Sequence, residues 1–291
     1  RSDIGDVWCW GSNSWGQLGV EDTDDRLSPN KVIGVSGVMQ VSAGYRHACA
    51  VLGTGGARCW GRNNSGQLGN NTTVDSTSAV VVLANPSTPL AGIQEVRTGA
   101  DHTCARHSAG VSCWGNNEYG KLGIGAASQT SLATLVPNLT MVAELTLGTT
   151  HTCAKLSGGG ARCWGRNQYG QIGDDTTVDR GSPTAVLGMT TTTSIAALTY
   201  TSCALTAAGS TWCWGLDTNG QLGNGGSDAN SSIPSQVAGL GSTTLMVSGS
   251  TASHACVVDA FSVKCWGTNT SRQLGDGTTT HRASPVAVVF P

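Results

Sequence analysis

Charged residues are scarce in this chain. Lys, Arg, Asp and Glu make up 12% of its 291 residues, about half the share of an ordinary globular protein. The 16 basic side chains nearly balance the 18 acidic ones, and neither kind gathers in a block. That excludes the clustered Lys and Arg with which proteins hold phosphate backbones, so no nucleic-acid partner is expected. Long apolar runs are missing too: the longest aliphatic stretch, Ala79-Val80-Val81-Val82-Leu83-Ala84, is far too short to cross a bilayer. Glu, Lys and Leu never recur at helical spacing, which argues against helical architecture. No Cys-x-x-Cys pair suits zinc, and no Gly-x-Ser-x-Gly elbow with matching partners suits hydrolysis. Gly158-Gly159-Gly160 reads as a hairpin turn, because no helix follows to make it a phosphate loop. No catalytic residue, cofactor or metal is therefore expected. The chain starts at Arg1 without Met or a signal peptide, which reads as a processed protein or an excised piece.

Gly is abundant at 41 residues, and the aromatics are mostly Trp, with nine Trp against four Tyr and two Phe. One phrase explains much of this bias. Cys-Trp-Gly, usually followed by Asn and then Gly-Gln-Leu-Gly, recurs with its Cys at Cys9, Cys59, Cys113, Cys163, Cys213 and Cys265. A second phrase, an alternating apolar stretch followed by His-x-Cys-Ala, recurs at His47, His102, His151 and His254, with Thr201 in the remaining copy. A third, Pro-x-x-Val, starts at Pro29, Pro183, Pro234 and Pro285, and suits the start of an outer edge strand, where a missing N–H does no harm.

Such a period of roughly fifty residues holds four short antiparallel strands, by the strand signals of alternation and turn-rich gaps. In the second copy these are expected at 38–43, 47–52, 57–61 and 79–83. A four-stranded sheet cannot bury its own faces, and radial repetition solves that problem. The predicted fold is an all-β propeller occupying 1–291 as one domain, with six repeats visible. Five are complete and the first has only two strands.

Ten of the 11 cysteines form local pairs: Cys49 with Cys59, Cys104 with Cys113, Cys153 with Cys163, Cys203 with Cys213, and Cys256 with Cys265. Each pair falls on neighbouring strands of one hairpin, within disulfide reach. Five disulfides imply an oxidising, extracellular or periplasmic home. Cys9 is left unpaired, because the strand that should face it is absent. Either the chain is cut from a longer protein, or another molecule supplies the missing strands.

The four repeat-position histidines could form a metal ring, but the Thr201 exception favours a structural role, with each imidazole bonded to backbone at a strand start. His107 and His281 lie off-motif and are expected at the surface. Asp22, Asp24, Asp25, Asp174 and Asp175 could offer oxygens to calcium, yet no calcium-loop pattern surrounds them. The motif Trp residues, Trp10, Trp60, Trp114, Trp164, Trp214 and Trp266, are read as core packing between blades. The variable residue before the turn Gly is the candidate binding position: Trp15, Ser65, Tyr119, Tyr169, Asn219 and Ser271. All six should lie on one rim, where aromatic residues serve protein and sugar binders. Asn-x-Ser/Thr sequons occur at Asn63, Asn70, Asn71, Asn138, Asn230 and Asn269.

The combination of Ala-Gly-x-x-His, Trp-Gly-x-Asn-x-x-Gly-Gln-Leu-Gly and Pro-x-x-Val resembles the regulator of chromosome condensation repeat family, over essentially the whole chain. That resemblance implies a propeller, commonly of seven blades. It also implies a partner protein docked on the loops of one face, as in Ran nucleotide exchange or in β-lactamase inhibition by a secreted bacterial member. Asp217, Lys121 and Arg272 depart from the pattern, no segment matches the exchange wedge, and no basic tail is present. The expected function is a non-catalytic extracellular interaction or assembly module, binding a protein or itself. A soluble inhibitor of a secreted hydrolase and a glycan binder are the alternatives.

Overall fold

The computed structural model describes residues 5–125, 128–226, 229–247 and 249–290. They are almost entirely β, the one helical turn being a short 3₁₀ segment at Glu118–Gly120. Five four-stranded antiparallel sheets follow one another along the chain, each running in sequence order from its first strand to its fourth. Blade two comprises Val38–Ala43, His47–Leu52, Ala57–Gly61 and Ser76–Val81, and blade three Ile93–Thr98, His102–His107, Gly110–Gly115 and Thr130–Leu135. Blade four comprises Val142–Leu147, His151–Leu156, Ala161–Gly165 and Arg180–Ala185. Blade five runs through Thr192–Ala197, Thr201–Thr206, Thr211–Gly215 and Ser231–Gln236, and blade six through Thr243–Val247, His254–Asp259, Ser262–Gly267 and Arg282–Ala287. Blade one has two strands, Trp8–Gly11 and Arg26–Lys31. The chain forms two compact units, 1–140 with blades one to three and 141–291 with blades four to six.

The outer strand of blade two starts three residues earlier than expected, at Ser76, and stops at Val81. Beyond it, Leu83–Asn85 pairs with Thr88–Pro89 in a small separate hairpin. The outer-strand prolines also sit differently from expectation: Pro183 is the fourth residue of its strand rather than the first. Cys163 faces Thr184 and Gly165 faces Arg180, so one residue of the third strand opposes three of the fourth. Pro183 lies in that bulge, where the ladder is already interrupted and its missing N–H breaks nothing.

Each cysteine pair faces directly across its hairpin, as Cys49 with Cys59 and Cys153 with Cys163, and all five pairs are bonded. A loop of this size contributes roughly 2–3 kcal/mol by chain entropy, an upper figure.

Packing between successive blades turns on the motif Trp. Trp60, Trp114, Trp164, Trp214 and Trp266 are fully buried. The Trp114 indole lies flat against Gly69 of blade two and donates its N–H to the Gln67 carbonyl at 2.9 Å. Trp60 does the same with Gln17, Trp214 with Gln171 and Trp266 with Gln221. Gly69 is left-handed, with φ +69, and a Cβ there would come within 2.7 Å of Trp114 Nε1. Only Gly satisfies both conditions. Trp10 departs from the expected pattern: it is 61% exposed. Its indole lies on a blade that has no preceding turn Gly within the first unit.

The same carbonyl anchors the repeat histidines, though not through backbone as expected. Thr103 Oγ1 donates to Gln67 O at 2.9 Å and sits 2.9 Å from His47 Nε2, one blade back. Having used its single hydrogen, the hydroxyl must accept from histidine, which places the ring proton on Nε2. His151, Ser202 and Gln171 repeat the arrangement. Nδ1 of both rings is buried with no partner. Burial pushes the His47 pKa down to about 4 and that of His151 to about 3. Thr201 instead donates to the Leu216 carbonyl. His107, expected at the surface, is only 9% exposed and bonds Ser112, because it ends an inner strand.

Two predictions follow from these contacts. Gly69→Ala should lose more than about 2 kcal/mol, whereas Gly125→Ala, also left-handed but with open space around its Cβ, should lose about 1 kcal/mol. Urea midpoints that fall equally in the two variants would contradict the Trp seat. The second concerns pH. Folded His47 and His151 are neutral, while the unfolded rings take protons near pH 6.5. Stability should therefore be complete above 6.5 and fall as pH drops through 6.5 toward 4, by roughly 1.4 kcal/mol per unit per histidine. Urea melts at pH 7.5 and 5.0 that superimpose would refute buried neutral histidines.

Candidate functional site

The candidate positions lie on the loop that follows each third strand. Asn63 holds that loop together and is completely buried. Its Oδ1 accepts the Leu68 N–H at 2.9 Å, while Nδ2 donates to Asn70 Oδ1, the Thr72 carbonyl and the Val74 carbonyl at 3.0–3.1 Å. Its own N–H donates to Asp75 at 2.6 Å. Asn167 repeats this pattern, and so does Asn269 except that its own N–H donates to His281 Nδ1 at 3.0 Å. Their amides are committed to the loop, so the Asn63 and Asn269 sequons are closed to glycosylation in the folded chain.

The acidic residues have the same employment. Asp174 accepts from Asn167, from Thr176 and from Arg180 Nε at 2.6 Å. Although its partial burial would raise the carboxyl, those hydrogen bonds outweigh it and leave the pKa lowered. Asp22 accepts from the Asp24 N–H, pairs with Arg26 and accepts from Asn13, and its carboxyl is lowered in turn. Asp25 caps the Asn13 N–H and Asp175 occupies a left-handed turn position. Among the described residues, no group of three or more His, Cys, Asp or Glu is placed to hold a metal ion.

The motif departures have local explanations. Lys121 replaces Gln and pairs with Asp101 at 2.6 Å. Arg272 adopts the left-handed φ of +61 that Gly takes in other copies. Asp217 still accepts the Leu222 N–H through its carboxylate.

The variable residues occupy equivalent places: the N–H groups of Trp15, Ser65, Tyr169, Asn219 and Ser271 each donate to the Gln side chain two residues on. Tyr119 stands at a φ of +64 within the 3₁₀ turn. Their exposure differs. Ser65 is only 7% exposed, which removes it from any contact surface. Trp15, Tyr119, Tyr169 and Asn219 are half-buried and Ser271 is exposed.

In the first unit Trp15 is the centre of a cluster. Arg62 lies 4.7 Å and Arg46 5.2 Å from its ring centroid, and Arg46 also lies 4.9 Å from the ring of Tyr45. Tyr45 is 60% exposed. In the second unit Tyr169 meets Tyr200 edge to face at 5.4 Å, and Arg166 sits 5.7 Å from Tyr200. Sequence reasoning missed Tyr45, Arg46, Arg62, Arg166 and Tyr200. The signal was available in the residue before the repeat histidine and the residue after Trp-Gly, both of which flank the variable position in space.

Repeated four-stranded sheets joined by such loops define a β-propeller of repeat-built blades. The chain belongs to the RCC1-like domain family, whose match extends over residues 1–258. It is 30% identical over 160 residues to the ultraviolet-B receptor UVR8 of Arabidopsis thaliana, a match covering 53% of this chain and 36% of that protein. The match thus spans about a third of that relative's length. Human WBSCR16 superposes with a TM-score of 0.83 at 20% identity, covering 98% of this chain and 79% of the other. Yeast RCC1 (Prp20), solved bound to Kap60, also gives 0.83 at 20% identity, over 99% and 72%.

Asn63→Asp replaces the donating amide with an oxygen that faces three acceptors, and should destabilise by about 2–4 kcal/mol, while exposed Asn64→Asp should stay within about 0.5 kcal/mol. Hydrogen exchange over residues 70–74 checks the local effect. Equal protection in both variants would contradict the role given to Asn63.

Proposed function

We propose that this chain is a non-catalytic extracellular binding module, whose partner is a protein presenting carboxylates to the Trp15 loop. One observation carries the reading: two guanidiniums stack on Trp15 beside exposed Tyr45, and neither Arg46 nor Arg62 enters an ion pair among the described residues. A guanidinium stacked on an aromatic face keeps its in-plane N–H donors free for a carboxylate. Trp, Tyr and Arg are also the residues in which binding energy concentrates. Tyr169, Tyr200 and Arg166 would form a second, lesser contact, and Tyr119, Asn219 and Ser271 would contribute specificity.

The five disulfides support the extracellular placement. The 291 residues are taken as one functional domain. Among the described residues, no helix is long and apolar enough to cross a membrane. Protein partners are a family habit at the level of individual relatives, since yeast Prp20 has been studied bound to Kap60 and for binding to Gsp1p and histones.

The test captures stoichiometric partners from extracellular proteins on the immobilised native chain, its Trp15→Ala variant and its Arg46→Ala/Arg62→Ala double variant. Affinity should fall at least about 30-fold in each, the loss of a hot spot worth roughly 2 kcal/mol, with melting temperatures little changed. Undiminished binding by both variants would overturn the site. Loss of activity in a captured hydrolase would make the module an inhibitor. Self-association in sedimentation would make it an assembly unit, and glycan-array binding would move it to the sugar binders.

A further inference from the structure

The loop after a third strand is closed by an acceptor twelve or thirteen residues further on. Asp25 accepts the Asn13 N–H at 2.7 Å, Asp75 that of Asn63 at 2.6 Å and Asp179 that of Asn167 at 2.7 Å. In blade five the acceptor is the side-chain carbonyl of Asn230, 3.0 Å from the Asp217 N. In blade six it is His281, whose Nδ1 accepts the Asn269 N–H at 3.0 Å. A carboxylate or an amide oxygen accepts at neutral and at mildly acid pH alike. An imidazole nitrogen does not, because histidine gains its proton within that range.

The direction of the bond fixes where that proton goes. A backbone N–H can only donate, so Nδ1 of His281 is bare and the single ring proton sits on Nε2. Nδ1 is then the one ring position open to a second proton. Once there, the proton meets the Asn269 N–H donor to donor, and the hydrogen bond is lost. His281 is exposed and its ring has water to turn into, whereas Asn269 is completely buried. The loss falls on Asn269, whose N–H stays behind in a dry site without its acceptor.

The carboxylates packed around this loop are engaged elsewhere. On the loop itself, Asp276 accepts from Asn269 and Thr278 and pairs with Arg282 at 2.7 Å. Arg272 stands exposed at the turn. His254 faces Gly267 across the blade, and burial holds its pKa below the ordinary range. Lys264 of the third strand pairs with Asp259. The blade-five turn lies against Arg282 and Ala283 through Gly220, and its Asp217 accepts the Leu222 N–H. Among the described residues, His281 alone accepts the Asn269 N–H.

We propose that His281 is an acid-released latch on the blade-six loop, residues 269–281. With the ring neutral, the loop is closed like its counterparts and holds Ser271 and Arg272 in place. As the pH falls the ring is protonated and the latch opens. The Asn269 amide still donates to Asp276, Thr278 and Thr280, so the loop loosens at its His281 end and does not unravel. The loops closed by Asp25, Asp75, Asp179 and Asn230 keep their acceptors. Mild acid therefore changes one loop and spares the Trp15 turn. The latch works in the same way whether or not the rim holds a partner.

Other loops use Asp and Asn in this place, so His281→Asp and His281→Asn are latches that stay shut. The test measures hydrogen exchange at the Asn269 amide in the native chain and in both variants, at pH 7.5 and 5.0. At pH 7.5 the three should be equally protected. At pH 5.0 protection in the native chain should be at least about ten-fold below that in either variant, the loss of one buried hydrogen bond. His47 and His151 are common to all three proteins, so their own response to acid cancels in the comparison. A long-range proton–nitrogen NMR spectrum at pH 7.5 should show the His281 proton on Nε2. Equal protection of all three proteins at pH 5.0, or a ring proton on Nδ1 at pH 7.5, would overturn the proposal.

Discussion

The buried indole N–H of the motif Trp is the constraint from which the repeat pattern follows. A Trp packed between blades without a partner for that N–H would forfeit a hydrogen bond in a dry interior, a loss of about 1–3 kcal/mol. For Trp60, Trp114, Trp214 and Trp266 the partner is a turn carbonyl, that of Gln17, Gln67, Gln171 or Gln221, whereas the Trp164 N–H is buried with no partner among the described residues. To aim that carbonyl, the turn must be rigid, and Asn63 and its counterparts provide the rigidity from within. To let the ring come close, the turn must end in Gly. The carbonyl has a second lone pair, taken by the hydroxyl of Thr103 or Ser202, and the hydroxyl in turn gives the previous blade's histidine something to hold. Trp, Gly, Gln, Asn and His are thus members of one hydrogen-bonded joint.

A division of labour results. Ladders and disulfides make each blade, and the Trp joint connects it to the next. The joint draws on neutral groups, so the chain needs few ion pairs, and many of the carboxylates it has, such as Asp174 and Asp276, tie loops rather than face solvent. This explains the low charge content better than any requirement of a ligand would. It also frees the residues between the fixed ones. Trp15, Ser65 and Tyr169 can differ because the joint uses only their backbone N–H, bonded to Gln.

Much of this was legible in the sequence, and the boundary of legibility is physical. Cysteine pairing could be read because a hairpin's length sets which residues face each other. Inner strands could be read because alternation survives where one face is buried. The outer strands were misplaced because their bulge around Pro183 breaks the alternation. The partner of His47 lies 56 residues away on the next blade, and nothing local announces it. Trp10 and Trp60 share a motif yet differ in burial, because burial belongs to the preceding blade rather than to the Trp. Trp15, Arg46 and Arg62 come from three separate loops that only the fold brings together.

Blade one also shows that the Trp15 turn does not depend on a four-stranded blade. Among the described residues it has two strands, yet its turn is complete: Asn13 accepts the Leu18 N–H and is capped by Asp25. That turn is fastened to blade two through the Trp60 bond to Gln17, and the chain on either side is held by Val32 N–H to Val7 and Val38 N–H to Gly5. Trp15 is therefore fixed from the blade-two side alone. Arg46 and Arg62, which stack on it, belong to blade two as well. A joint that acts between neighbours, and not around the whole ring, is what allows a half-built blade to carry a finished loop.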